Sequence, residues 1–219
     1  YRLTTVDLAW VESDQSAAIL VRPLSINSTA LPVYQLEIDE AVLAQISPDL
    51  QDNTKHPARL IYDGSVYNVE VRHRGHITRN YAKKSWKIVL DKDSPFPNRE
   101  HIDLKSHYDD VSLIRGVLTT HVYEHLGIAP SGAKHALLFI NGEYQGLYTD
   151  YERIDENFLE RTRRNAESTI YETLYNNISN YGASIPLENY PTLYELRTNK
   201  HIGYQPLATF FDKVNLVPY

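Results

Sequence analysis

Cysteine is absent from the 219 residues, and so is methionine. Without cysteine the chain has no disulfide, no thiol nucleophile and no zinc–thiolate site. The compartment stays open, because an exported bacterial protein needs no disulfide. Without methionine there is no initiator residue. Omitted methionines would shorten long spacings, so local motifs carry more weight here than distances along the chain. No apolar run approaches the roughly 18 residues that cross a bilayer. The opening Tyr1-Arg2-Leu3-Thr4-Thr5 is not a signal peptide. A mature secreted chain would begin like this, and so would a fragment. Excess positive charge is lacking too: 22 Lys and Arg stand against 28 Asp and Glu. A nucleic-acid or anionic-membrane surface is therefore not expected. What is present, 42% hydrophobic and 23% charged residues, suits a soluble domain with a core.

Residues 1 to 30 show few signals and read as an N-terminal extension. Leu31 to Ile38 is a candidate strand, in which Leu36 and Ile38 alternate with Gln35 and Glu37 while Val33 breaks the register. Asp39 is placed to cap a short helix from Glu40 to Ile46. Ala58 to Tyr62 and Val66 to Arg72 flank Asp63-Gly64 and predict a hairpin. A basic loop, Gly75 to Ala82, leads to a strand over Ser85 to Leu90. Leu113, Val117, Leu118, Val122 and Leu126 recur at helical spacing and predict a long helix over Val111 to Leu126, ended by Gly127. A second hairpin is predicted around Asn141-Gly142, from Ala136 to Thr149. Asp155 caps a short helix, Tyr175 to Pro191 reads as a loop, and Leu207 to Val214 as a helix. The expected class is α+β with an antiparallel sheet.

Local motifs are more specific than this order. Arg72-His73-Arg74-Gly75 leads into Lys83-Lys84-Ser85-Trp86-Lys87-Ile88. Asp109-Asp110-Val111-Ser112-Leu113-Ile114-Arg115 opens the long helix. Asn141-Gly142-Glu143-Tyr144-Gln145-Gly146-Leu147-Tyr148 follows, then Glu152-Arg153-Ile154-Asp155. In series and in this order, over about residues 31 to 215, these resemble the N-terminal portion of the CotH (spore-coat protein H) kinase family. The resemblance implies an atypical protein-kinase-like small lobe over 31–154, with one long helix, followed by the start of a helical large lobe over 155–219. It also implies a secreted or cell-surface bacterial kinase that transfers phosphate from ATP, with Mg or Mn, to Ser or Thr of a protein substrate.

Phosphoryl transfer needs cations on the phosphates, a pocket for the base, and metal-binding carboxylates. Arg74, Lys83, Lys84 and Lys87 are the candidate cations. Strand alternation sends Lys84 and Lys87 to opposite faces, so only one can face a given cleft. The bland alternative is an exposed basic strand; with the flanking motifs, phosphate binding by at least one lysine is the better reading. No Gly-rich phosphate loop is present, so the Gly75 to Ala82 loop, with Arg74, Thr78 and Arg79, would contact phosphate partly through side chains. Arg115 is a candidate for a phosphate or a carboxylate, weighed evenly against a surface ion pair. Glu152 lies where a kinase hinge would hold adenine, with backbone groups of Tyr151 to Ile154 available to the base; a loop carboxylate is the alternative. Asp155 is expected as a helix cap rather than a catalytic group.

Other constellations are weaker. His121, Glu124 and His125 spell an inverted zinc-protease motif, for which no third ligand can be named, and exposed helix residues are the better reading. Tyrosines at 171, 175, 181, 190 and 194 are expected to pack rather than to bind glycans. Asn27-Ser28-Thr29 and Asn177-Ile178-Ser179 fit the glycosylation pattern, a common chance match. The catalytic and metal-binding carboxylates that the resemblance implies are not recognisable before Tyr219. The expectation is therefore a kinase parent with this stretch alone inactive. The alternative is a non-catalytic structural or adhesion module on the same scaffold.

Overall fold

The computed structural model describes residues 30–46, 49, 52–91, 96, 99–174 and 185–215. Both glycosylation-pattern sites, Tyr175 and Tyr181 and the N-terminal extension up to residue 29 lie outside the described residues. Seven strands close into a barrel: β1 (Val33–Glu37), β2 (His56–Tyr62), β3 (Ser65–Arg74), β4 (Ser85–Leu90), β5 (His101–Lys105), β6 (Ala133–Ile140) and β7 (Glu143–Tyr151), in the order β1-β2-β3-β4-β5-β7-β6. The class is α+β as expected, but the sheet is mixed rather than antiparallel. β1 runs parallel to β6, with Val33 opposite Leu137 and Leu36 opposite Ile140. This seam removes the two edges that β2 and β6 would otherwise expose.

Period-two alternation explains which face is filled. Tyr34 and Leu36 of β1, Leu60 of β2, Val69 and Val71 of β3, Trp86, Ile88 and Leu90 of β4, Ile102 and Leu104 of β5, and Ala136, Leu138 and Ile140 of β6 are buried in one cluster. Both predicted hairpins form. Asp63 and Gly64 have φ of 49° and 73°, Asn141 and Gly142 of 50° and 83°, the left-handed pair that a two-residue turn between twisted strands requires. Asp39 caps α1 (Glu40–Leu43) through the amides of Ala41 and Val42. β5 was not foreseen, although His101-Ile102-Asp103-Leu104-Lys105 alternates polar and apolar residues.

A buried carboxylate sits at the inner end of the barrel wall, on β7. Asp150, 1% exposed, accepts two hydrogen bonds from Arg99 at 2.7 and 2.8 Å and one from Tyr34 Oη at 2.8 Å. Burial, then the Asp150 carboxylate, pushes the Tyr34 hydroxyl far above its ordinary pKa.

The long helix is shorter than its periodicity predicted. α2 spans Arg115–His125. Asp110 stops the pattern from starting at Val111: its carboxylate binds the Ser112 hydroxyl at 2.6 Å and the amides of Ser112 and Arg115. Leu113 is held at φ 57°, which no helix accepts. The helix faces the barrel with small residues. A Cβ on Gly116 would stand 1.8 Å from Tyr151 Oη, and Thr120 is buried. Its apolar row points outward instead, Leu118 being 55% and Leu126 67% exposed.

After β7 come α3 (Glu156–Arg161), capped by Asp155 as expected, then β8 (Tyr171–Thr173), α4 (Tyr190–Leu193), β9 (Tyr194–Leu196) and α5 (Gln205–Asn215). β8 and β9 form a separate two-stranded antiparallel sheet, so this part is not purely helical. Tyr190 and Tyr194 are buried among Tyr204 and Phe211, and Tyr171 donates to the Gly203 carbonyl. These tyrosines pack. Among the described residues no helix is long and apolar enough to cross a membrane.

Candidate functional site

The residues that do not point into the barrel from β3, β4 and β5 form its outer face. Register puts Arg72 beside Lys87, Lys87 beside Asp103, and Asp103 beside Tyr151 of β7. One step along, Arg74 lies beside Ser85. Lys105, two residues after Asp103 on β5, reaches over the Tyr151 ring with its Nζ 4.4 Å from the centroid. Arg153, just past β7, is close enough to act electrostatically on both Lys87 and His101. Arg72, Arg74, Lys87, Lys105 and Arg153 thus outnumber the carboxylate among them, Asp103.

Asp103 offsets only part of the positive charge on this face. Its Oδ1 is 3.3 Å from Arg74 Nε, yet that atom is sealed from solvent and accepts no hydrogen bond. The pair is an ion pair off the hydrogen-bonding direction, leaving acceptor and donor capacity unspent. Lys87 is half-buried on the same face and makes no hydrogen bond or ion pair among the described residues. Burial pushes its ammonium down to about 8, with Arg153, Arg72 and Arg74 adding to the shift and Asp103 opposing it. A cation held in that state gains when an anion arrives.

The other predicted site residues are separated from this row. Lys84 precedes β4, and its Nζ donates to the Arg79 carbonyl at 2.6 Å. Lys83 donates to the Leu147 carbonyl and lies over the Tyr148 ring. Arg115 bridges to Asp110 at 3.0 Å and to the Asp109 carbonyl, clasping the start of α2. Glu152 receives two hydrogen bonds from Arg161 at 2.6 Å and one from the Gly132 amide at 2.8 Å, tying α3 to the turn before β6. The hinge backbone is largely engaged as well: the Glu152 amide donates to the Gly132 carbonyl, and the Glu152 carbonyl accepts from Ser131. Arg79 is turned away from any phosphate. It is 3% exposed, and its guanidinium is spent on the carbonyls of Asp49, Asp52 and Gly75 and on the Asn53 side chain. The basic loop folds inward, where one guanidinium serves all of these acceptors at once; the Asp49 carbonyl also accepts from the Asp52 amide at 3.3 Å.

Next to the cationic row, beyond Arg153, lies a cavity of about 380 Å³ bounded by the start of β5, α2, the start of β6 and the end of β7. His101, Thr120, Lys134, Glu152, Arg153 and Asp155 line it, with others. Burial, then Arg153 and Lys87, push the His101 imidazole down to about 4, so it is neutral at ordinary pH. His121 and His125 lie exposed on α2, where His121 faces Glu124 at 3.4 Å. Among the described residues no three His, Asp or Glu side chains are arranged to hold a metal ion.

Three side chains of the site, His101, Asp103 and Lys105, come from the one barrel strand that the sequence reading missed. Five-residue alternation was the available signal. It is hidden by its shortness and by the polar, proline-containing stretch before it.

Fold and site together define an α+β barrel protein with a cation-bearing outer strand face beside a neutral-histidine cavity. The chain belongs to the CotH kinase protein family, whose profile it matches over residues 71–217. It is also 27% identical over 202 residues to the inner spore coat protein H of Bacillus subtilis (strain 168). That alignment covers 88% of this chain and 54% of the relative, so the chain spans about half the length of the curated relative it matches.

Proposed function

We propose that this chain is the nucleotide-phosphate-binding part of an extracellular atypical protein kinase. It would transfer the γ-phosphate of ATP to a Ser or Thr hydroxyl of a protein partner at a bacterial surface or spore coat. The observation that carries this reading is the strand-register row Arg72–Lys87–Asp103 with Arg74 beside it: cations on barrel strands that outnumber the carboxylate among them. Such a row can hold the β- and γ-phosphates without a Gly-rich loop. In the transfer the hydroxyl oxygen bonds to the γ-phosphorus, the bond from that phosphorus to the bridging oxygen of ADP breaks, ADP leaves, and the hydroxyl proton passes to water. Arg74 and Lys87 hold phosphate oxygens in this scheme. Lys83, Lys84, Arg115 and Glu152 keep the neighbouring loops in place. The described residues do not supply the ligand set of a Mg or Mn ion, so no step is assigned to one. Membership of the kinase family and likeness to a spore coat protein support the reading; they do not supply the substrate.

The test is calorimetric titration with ATP. Micromolar to millimolar binding, lost in both Arg74→Ala and Lys87→Ala and kept in Lys84→Ala, is the expected result. Equal affinity in all four proteins would remove the phosphate assignment. A second reading, a phosphate-binding module without catalysis, is favoured by the position of Asp103. It is the acidic side chain within the cationic row, and its ion pair with Arg74 fits a structural role. Binding without phosphate transfer by the complete polypeptide would select that reading.

A further inference from the structure

The cavity beside the cationic row does not look like a second place for phosphate. Glu100, Glu124, Asp150, Glu152 and Asp155 line it against Arg99, Lys134, Arg153 and Arg161, so it offers an anion no excess of positive charge. Three of its cations are already engaged, Arg99 and Lys134 on Asp150 and Arg161 on Glu152. Arg153 and His101 are among the donors left unspent. Arg153 makes no hydrogen bond or ion pair among the described residues, and His101 has none at either ring nitrogen. The His101 Nδ1 is sealed from solvent without a partner. The ring can therefore meet the cavity only through its other edge. Sealing an N–H without an acceptor is rarer than sealing a bare lone pair. The proton accordingly belongs on Nε2, facing the cavity.

We propose that His101, through an Nε2–H donor, and Arg153 beside it read a hydrogen-bond acceptor on the uncharged, nucleoside end of the ligand whose phosphates lie on Arg74 and Lys87. This rests on the nucleotide reading above and names the part of the ligand that the cavity selects. The volume, about 380 Å³, falls in the roughly 300–1,000 Å³ range of small-molecule sites. The surrounding carboxylates are suited to the hydroxyl and amino donors of the same group. His101 is a specificity residue here, not a catalytic one.

The experiment compares ATP with inorganic triphosphate, which lacks the nucleoside, in the full polypeptide. His101→Phe is expected to weaken ATP roughly tenfold, the loss of about one hydrogen bond, and to leave triphosphate unchanged. His101→Gln, whose amide N–H replaces Nε2–H, is expected to recover most of the loss. If His101→Phe binds ATP as the wild type does, or loses both ligands equally, the assignment to His101 is wrong while the phosphate row stands. If the wild type binds neither ligand, the nucleotide reading fails and takes this one with it. Two-bond 1H–15N spectra of the wild-type imidazole give a check that needs no variant: a proton on Nδ1 would overturn the donor assignment.

Discussion

Lys87 carries its charge where burial disfavours it, and two expectations follow at the scale of this residue. Its pKa of about 8 lies below the ordinary 10.5, so the folded state binds the proton less readily than the unfolded chain does. Stability is therefore penalised below pH 8 and recovers as pH rises from 8 towards 10.5. Lys87→Met should melt at a higher temperature than the wild type at pH 7 while losing ATP affinity; a lower melting temperature would mean that the ammonium has a stabilising partner. Above pH 8 phosphate binding must recruit a proton to Lys87. Affinity should then fall with a slope approaching about tenfold per pH unit. Lys87→Arg should flatten that slope, and a slope unchanged in the arginine variant would assign it to another group. Arg79 lies at the opposite extreme. Its removal takes away four hydrogen bonds, to the Asp49, Asp52 and Gly75 carbonyls and the Asn53 side chain, so Arg79→Ala should cost about 3 kcal/mol in urea unfolding without a specific loss of phosphate contacts. A cost near zero would contradict its burial.

At the scale of the element, α2 reverses the usual meaning of a helical apolar stripe. Leu118, Val122 and Leu126 face outward, and Gly116 and Thr120 face the barrel. Leu118→Gln and Val122→Gln should each change stability by no more than about 0.5 kcal/mol. Gly116→Ala should destabilise despite the better helix propensity of alanine. The new Cβ would overlap Tyr151 Oη and disturb its 3.3 Å contact with His107, an overpacking cost of about 1–3 kcal/mol against a gain of about 1 kcal/mol. Chemical denaturation of the three variants checks the pattern, and the opposite ranking would place the helix the other way round. Periodicity alone reports that a residue is apolar every third or fourth position. It does not report what the helix packs against, and here small side chains allow the closest approach.

At the scale of the whole molecule the barrel is held by its closure. The family profile begins at residue 71, inside β3, whereas the barrel begins at Val33 with β1. A polypeptide starting at residue 52 would retain the whole matched region but would lose the β1 seam, the edges of β2 and β6 would open, and Asp150 would lose the Tyr34 hydroxyl. Such a polypeptide should lose cooperative unfolding, measured by coincidence of fluorescence and circular-dichroism transitions. A sharp single transition would show that β1 is an ornament of the fold.

The turns, the caps and the alternation of the strands were legible in the chain because each depends on neighbours a few residues away. Asp63-Gly64 and Asn141-Gly142 supply left-handed backbone, Asp39 and Asp155 cap helices, and Trp86-Lys87-Ile88 alternates inside and out whatever the partner strand. The same locality let the motif series identify the family and let Lys87 be named as a candidate. Which of Lys84 and Lys87 joins the cationic row could not be read there, because it depends on strand register and on where β4 begins. The parallel β1–β6 seam, the placing of Asp103 beside Lys87, the inward turn of Arg79 and the outward apolar row of α2 were decided only by the tertiary structure. Each depends on groups far apart in the chain meeting across the barrel, where burial and hydrogen-bond satisfaction, not local propensity, set the energy.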